Sequence, residues 1–240
     1  MFPHSTPRPA RLQPLPVPKH WLVTGLVLTA VVIALGLTVQ LVPSLTSTEL
    51  AVDQELSRHH IPVLTVLALA LNLLFGPVAG ALIVLATSLY LLLFRRSLQK
   101  AVLFALTVSC GWLAAQLFKV VIGRIRPDPA LMLDPLVPEP VSNSFPSGHT
   151  SLAIALALAV YFLARGTGWV KPVLWAGAVL AVLVAWSRVY VGAHYPLDVL
   201  ASFPATTAAV VLMAGLWNRY ALAVMVRLQL TSFRLPGNHK

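Results

Sequence analysis

Six stretches of this sequence, at about 21–42, 77–94, 100–122, 149–165, 171–187 and 197–217, are apolar for nearly their whole length. About 20 such residues wound as an α-helix cross the hydrocarbon core of a bilayer. Inside lipid every backbone N–H and C=O must be satisfied within the protein, which a helix does alone. The runs therefore predict an all-α integral membrane protein with a helical-bundle core. Charge agrees, since only 10% of residues are charged and 58% are hydrophobic, against about 25% and 45–50% in soluble domains. A seventh run, 61–75, is bounded by Pro62 and by Gly76-Pro77. Its length lies between a spanning helix and a re-entrant or interfacial one.

Basic residues decide between those two. If 61–75 does not cross and the N-terminus is cytoplasmic, twelve of the seventeen basic residues lie inside. These are Arg8, Arg11, Lys19, Arg95, Arg96, Lys100, Arg165, Lys171, Arg219, Arg227, Arg234 and Lys240, as the positive-inside rule expects. All seven acids then fall outside. The expected architecture is six transmembrane helices plus a short re-entrant or interfacial helix. Residues 1–20 read as a disordered cytoplasmic tail, 21–217 as the membrane domain and 218–240 as a basic cytoplasmic tail. The net charge of +10 is then mostly topology, and no basic-aromatic stripe points to nucleic acid. The single cysteine, Cys110, excludes an intramolecular disulfide and reads as a packing residue.

Five basic residues break the pattern: Arg58, Lys119, Arg124, Arg126 and Arg188. Arg58 lies in the polar segment 46–60 with Glu49, Asp53 and Glu55, and reads as a solvated interfacial charge. The other four lie at outer ends of spans, where charge is costly and usually functional. Lys119 and Arg126 are two helical turns apart, so they share a face if the helix runs on to Pro127. With Arg188 they call for a common anionic partner, and phosphate oxygens fit arginine forks.

Two of the seven histidines sit beside these cations. Ser144-Phe-Pro-Ser147-Gly148-His149 leads straight into an apolar run, and a helix start offers N–H groups and a dipole to an anion. Ser147 adds a hydroxyl, and Gly148 lets backbone come close to phosphate oxygens. His194 precedes Asp198 by one turn, so the carboxylate can accept from one ring nitrogen while the other faces phosphate. His59 and His60 begin the short helix and read as interfacial. The proline-rich segment 127–146 reads as a stiff external connector.

These motifs resemble the type-2 phosphatidic acid phosphatase superfamily, which shares its site with vanadium haloperoxidases. Lys119 through Arg126-Pro127 matches its first motif, Pro146-Ser147-Gly148-His149 its second, and Ser187-Arg188 through His194 to Asp198 its third. The resemblance implies that His194 attacks phosphorus, Asp198 orients it, and His149 protonates the leaving oxygen and then activates water. It implies that Lys119, Arg126, Arg188, Ser147 and Gly148 hold the phosphate oxygens, with neither metal nor other cofactor. Arg124, outside the motif, is expected either to back the site from behind or to contact a headgroup. The implied substrates are phosphatidic acid, phosphatidylglycerol phosphate or a polyprenyl diphosphate at the outer leaflet of the cell membrane, with a lean to carrier-lipid recycling. Two other readings remain: a phosphotransferase with an acceptor other than water, and a non-catalytic anion- or lipid-binding protein. The sequence sets no oligomeric state.

Overall fold

All six apolar runs are helices in the computed structural model, which describes residues 14–137, 142–221 and 224. Among the described residues there are eight α-helices: α1 (Trp21–Leu41), α2 (Pro43–Arg58), α3 (Pro62–Leu74), α4 (Pro77–Leu93), α5 (Leu98–Ile122), α6 (Gly148–Ala164), α7 (Val170–Tyr190) and α8 (Pro196–Leu216). A short 3-10 helix (Pro129–Leu131), a π turn (Trp217–Ala221) and one bridge between Ile125 and Asn143 accompany them. Proline opens α2, α3, α4 and α8, at a position where its missing N–H has no helical partner to lose.

Among the described residues, α1, α5, α7 and α8 (run on through the π turn) are each long and apolar enough to cross a membrane. α3 and α4 meet that standard only as a pair, bent by 59°. The protein is thus a multi-pass membrane protein with four spans by length, or five if the bent pair is one span. α4 taken alone and α6, each of 17 residues, make up the shortfall from the expected six, and α6 gives its first turn to Gly148, His149 and Thr150 rather than to apolar side chains. Outward-facing side chains such as Leu117, Val120, Leu174 and Val182 are exposed, a surface suited to lipid rather than water.

The core is built by α5, α6, α7 and α8, with α1 along α8, α4 against α5 and α3 against the end of α7. α5, α6 and α8 pack tightly at Gly111, where a methyl group would lie 2.7 Å from Ala155 Cβ and 2.9 Å from Thr206 Cγ2. Without a hydrophobic force between helices in lipid, such small-residue contacts let the helices pack. Phe104, Val108, Leu152 and Val184 fill the adjoining interior.

The two ends of the bundle differ. At one end Leu15 is buried, and its N–H and C=O bond the side chain of Asn218 at 2.7 and 2.9 Å. Residues 14–20, expected to belong to a disordered tail, are therefore partly packed; 1–13 lie outside the described residues, as do 222–223 and 225–240 of the expected C-terminal tail. At the opposite end the termini of α1, α3, α5 and α7 meet the starts of α4, α6 and α8, and polar side chains are buried.

Candidate active site

α5 stops earlier than the sequence implies. Gly123 takes a left-handed conformation (φ 68°) directly after Ile122, the usual way a glycine ends a helix. Lys119 and Arg126 therefore do not share a helical face. Instead Arg124–Arg126 runs extended against 142–144: the Arg126 N–H donates to Ser142 O at 3.3 Å and Ser144 N–H to Arg124 O at 2.6 Å. Lys119 Nζ donates to Asn143 O at 2.8 Å, and Asn143 Nδ2 donates back to Lys119 O at 2.9 Å. These bonds clip the first motif to the second.

The third motif joins them at the α7–α8 turn. Arg126 donates from Nε to Ser142 Oγ (2.9 Å) and from one terminal nitrogen to Ala193 O (2.8 Å), and that nitrogen lies 3.1 Å from His194 Nε2. A guanidinium can only donate, so Nε2 of His194 must offer its lone pair and the ring proton must sit on Nδ1. Nδ1 faces Asp198 Oδ2 at 3.4 Å, longer than a formed N–H···O bond but close enough to tighten around a substrate. His194 is wholly buried. Burial first, then the charges of Arg126, Lys119 and Arg188, hold its imidazole well below the usual histidine range. A neutral imidazole with its lone pair on Nε2 is a nucleophile.

Ser147 and Gly148 stand at the start of α6. The Ser147 hydroxyl accepts from Thr150 N–H at 3.4 Å, its own N–H donates to Asp198 O at 3.1 Å, and Ser202 Oγ donates to its carbonyl at 3.1 Å. The start of α6 is thereby fixed to the start of α8. His149 shares a hydrogen bond with the backbone of Asn72, at the last turn of α3. The Asn72 side chain accepts from Arg188, which is fully buried. His149 also lines a cavity of about 610 Å³ with Asn72, Gly76, Pro77, Leu82 and Val137. The connector between α5 and α6 thus reaches the cavity through Val137. The structure brings together Lys119, Arg126, Ser147, Gly148, His149, Arg188, His194 and Asp198.

Of the two roles expected for Arg124, backing the site is the one the structure has: it is buried, with one terminal nitrogen 2.8 Å from Asp198 Oδ1 and the other 2.6 Å from Glu49 Oε2. Its guanidinium carbon also sits 4.0 Å over the Tyr195 ring. Sequence reasoning missed its partner on α2. The polar segment 46–60 falls within α2 and the turn after it, and α2 buries Glu49, Asp53 and Ser57. Those three lie four residues apart on one helix face, the signal that could have found them. Arg58 does stay exposed, 3.1 Å from Glu55. His60 is not merely interfacial, since its side chain contacts Asp134 Oδ2 at 2.7 Å and Tyr190 O at 3.1 Å.

Comparison with known proteins decides the family, because residues 100–221, half of the chain, match the PAP2 superfamily. The chain belongs to the PAP2 superfamily. Over 129 residues it is 36% identical to undecaprenyl-diphosphatase BcrC of Bacillus subtilis, covering 53% of this chain and 62% of that protein. It is 38% identical over 115 residues to phosphatidylglycerophosphatase B of the same organism, covering 46% and 54%. The chain thus spans between about half and two thirds of the length of these relatives. Its fold is similar to the crystal structure of the transmembrane PAP2 type phosphatidylglycerolphosphate phosphatase from Bacillus subtilis, with a TM-score of 0.70 and 25% identity. That likeness covers 82% of this chain and 97% of the other. PAP2 membership accounts for the three clipped motifs and leaves Glu49, Asp53 and Arg124 to be explained by this chain's own geometry.

Proposed function

We propose that this PAP2 protein is a metal-independent lipid phosphatase working through a phosphohistidine on His194. The observation that carries the reading is the wholly buried His194, with Nε2 turned to Arg126 and Nδ1 to Asp198. In the first step Nε2 bonds to phosphorus as the bond from phosphorus to the leaving oxygen breaks. His149 gives that oxygen a proton, and Asp198 balances the imidazolium that forms. In the second step His149 takes a proton from water, water attacks phosphorus, the P–N bond breaks and inorganic phosphate leaves. Lys119, Arg126 and Arg188, with the Ser147 hydroxyl and the Gly148 N–H, hold the oxygens between the two in-line positions. Phosphoryl transfer asks mainly for such positioning and charge.

The substrate we favour is a polyprenyl diphosphate, with phosphatidylglycerol phosphate and phosphatidic acid next, in keeping with the relatives' names. A lipid substrate fits a site at the end of a helical bundle with apolar walls beside it. We assign six spans, α1, α4, α5, α6, α7 and α8, with α3 lying across the site end without crossing. The basic turns that follow α4 and α6 then share one side with the N- and C-terminal segments, which the positive-inside rule makes cytoplasmic, and the site faces outward.

Phosphate release from a panel of lipid phosphates, with EDTA present, tests this against His194→Ala. Wild-type release in EDTA with a silent variant is the expected result. Activity that EDTA abolishes, or that survives His194→Ala, overturns the mechanism; phosphate passed to an added alcohol rather than to water makes the protein a transferase.

A further inference from the structure

Arg124, Glu49 and Asp53 form a buried charged cluster that the mechanism above does not use. Arg124 divides its fork: one nitrogen serves Asp198 Oδ1 and the other Glu49 Oε2. Glu49 uses its remaining oxygen to accept from the Leu197 N–H at 2.6 Å. That N–H is in the first turn of α8, which carries Asp198 and follows His194. Asp198 in turn accepts from the Tyr195 N–H at 3.0 Å with the oxygen that faces His194. One carboxylate from α2 therefore ties down both the helix start that bears Asp198 and the cation that orients Asp198.

We infer that Glu49 and Arg124 are positioning residues for the His194–Asp198 pair, so that α2 is a working part of the reactive unit. The inference rests on the phosphatase reading for what that pair does. Neither residue is among those assigned above to hold phosphate. They act through Asp198, holding Oδ1 so that Oδ2 stays aimed at Nδ1. A carboxylate free to rotate would let the imidazole turn and misdirect Nε2, and a misplacement of about 1 Å can cost about 100-fold in rate.

Asp53, one turn beyond Glu49, fits the same arrangement. It is buried, neither of its oxygens has a hydrogen-bond partner among the described residues, and it adds a third carboxyl to a cluster with one guanidinium. Arg124 cannot neutralise three carboxylates, and its two terminal nitrogens are committed to the other two. Burial above all, helped by the charges of Asp198 and Glu49, keeps the Asp53 proton on up to a pKa of about 8, against the pull of Arg124. Arg124 is thereby left to Asp198 and Glu49.

The test compares full-length wild type, Glu49→Gln, Arg124→Lys and the double variant in detergent. Turnover of a polyprenyl diphosphate is measured alongside affinities for vanadate and for inorganic phosphate. Vanadate accepts a fifth bond from an imidazole nitrogen, whereas bound phosphate needs only the cations. Each single variant is expected to lose about 10–100-fold in kcat with KM within about twofold. Vanadate binding is expected to weaken about tenfold while phosphate binding holds. The double variant should be no worse than the poorer single, because the residues form one chain. Unchanged kcat, multiplying losses, or equal weakening of vanadate and phosphate would overturn the inference, and a variant too unfolded to bind phosphate gives that last result. A wild type that turns over no lipid phosphate, yet shows the vanadate–phosphate split between variants, would sink the proposed function and leave the positioning role standing.

Discussion

Replacing Asp53 by asparagine keeps the shape of a protonated carboxyl and removes its ability to ionise. Burial holds Asp53 at about 8, against 3.8 for the free side chain, with the neighbouring charges of Asp198 and Glu49 adding to the rise. A carboxyl raised in this way keeps a proton in the folded protein that it releases on unfolding. Rising pH therefore favours unfolding: the contribution is intact below about pH 3.8 and is lost progressively as pH climbs to about 8. Each pH unit in that window is worth about 1.4 kcal/mol, and the full window about 6 kcal/mol. The amide introduced by Asp53→Asn carries a constant desolvation cost at every pH, so the slope of the difference carries the information and its offset does not. Relative to wild type, Asp53→Asn should gain about 4 kcal/mol between about pH 5 and pH 8 and nothing more above that. Unfolding of both proteins by SDS in mixed micelles, at a series of pH values from about 5 to about 9 that brackets this window, reads the difference directly. A gap that stays flat across the window means that Asp53 is already ionised in the folded protein by about pH 5, with the pull of Arg124 offsetting burial. That result refutes the reasoning.

Three further outcomes follow from named contacts. Tyr190→Phe removes a hydroxyl that accepts from the Ile61 N–H at 2.8 Å and lies 3.0 Å from Thr65 Oγ1; it should cost about 1–2 kcal/mol and hasten proteolysis at the start of α3. Gly123→Ala meets no neighbouring atom, but its φ of 68° is left-handed. It should cost about 1–2 kcal/mol in the same SDS titration with KM for the lipid unchanged. Arg126→Lys keeps the charge but cannot hold Ser142, Ala193 and His194 at once, so kcat/KM should drop about 10–100-fold in a phosphate-release assay.

The helices and the motif residues were legible in the sequence because each leaves a local mark. Apolar runs predict α1 and α4 to α8 to within a few residues, and the prolines at 62 and 77 frame α3 and the start of α4. His194 and Asp198 need only one helical turn to be recognised as neighbours. What was not legible depends on partners far along the chain. Glu49 looks like a solvated acid until Arg124, 75 residues away, is placed beside it. The sequence leaves Arg124 open between backing the site and meeting a headgroup, and the end of α5 at Gly123, which turns the chain inward, decides it. Asn72, an amide in the apolar run of α3, does leave a mark, but its partners His149 and Arg188 lie far along the chain.

The reversed face of α2 has a thermal consequence. Releasing this helix would wet two carboxyl groups and a hydroxyl, those of Glu49, Asp53 and Ser57, beside the half-buried Leu45 and Leu56, a more polar surface than most helices release. Hydrating apolar surface raises heat capacity and hydrating polar surface lowers it. The docking of α2 should therefore change little in strength on cooling, while contacts that depend on apolar hydration weaken. In the cold, α2 stays seated over Asp198 by hydrogen bonds and charge.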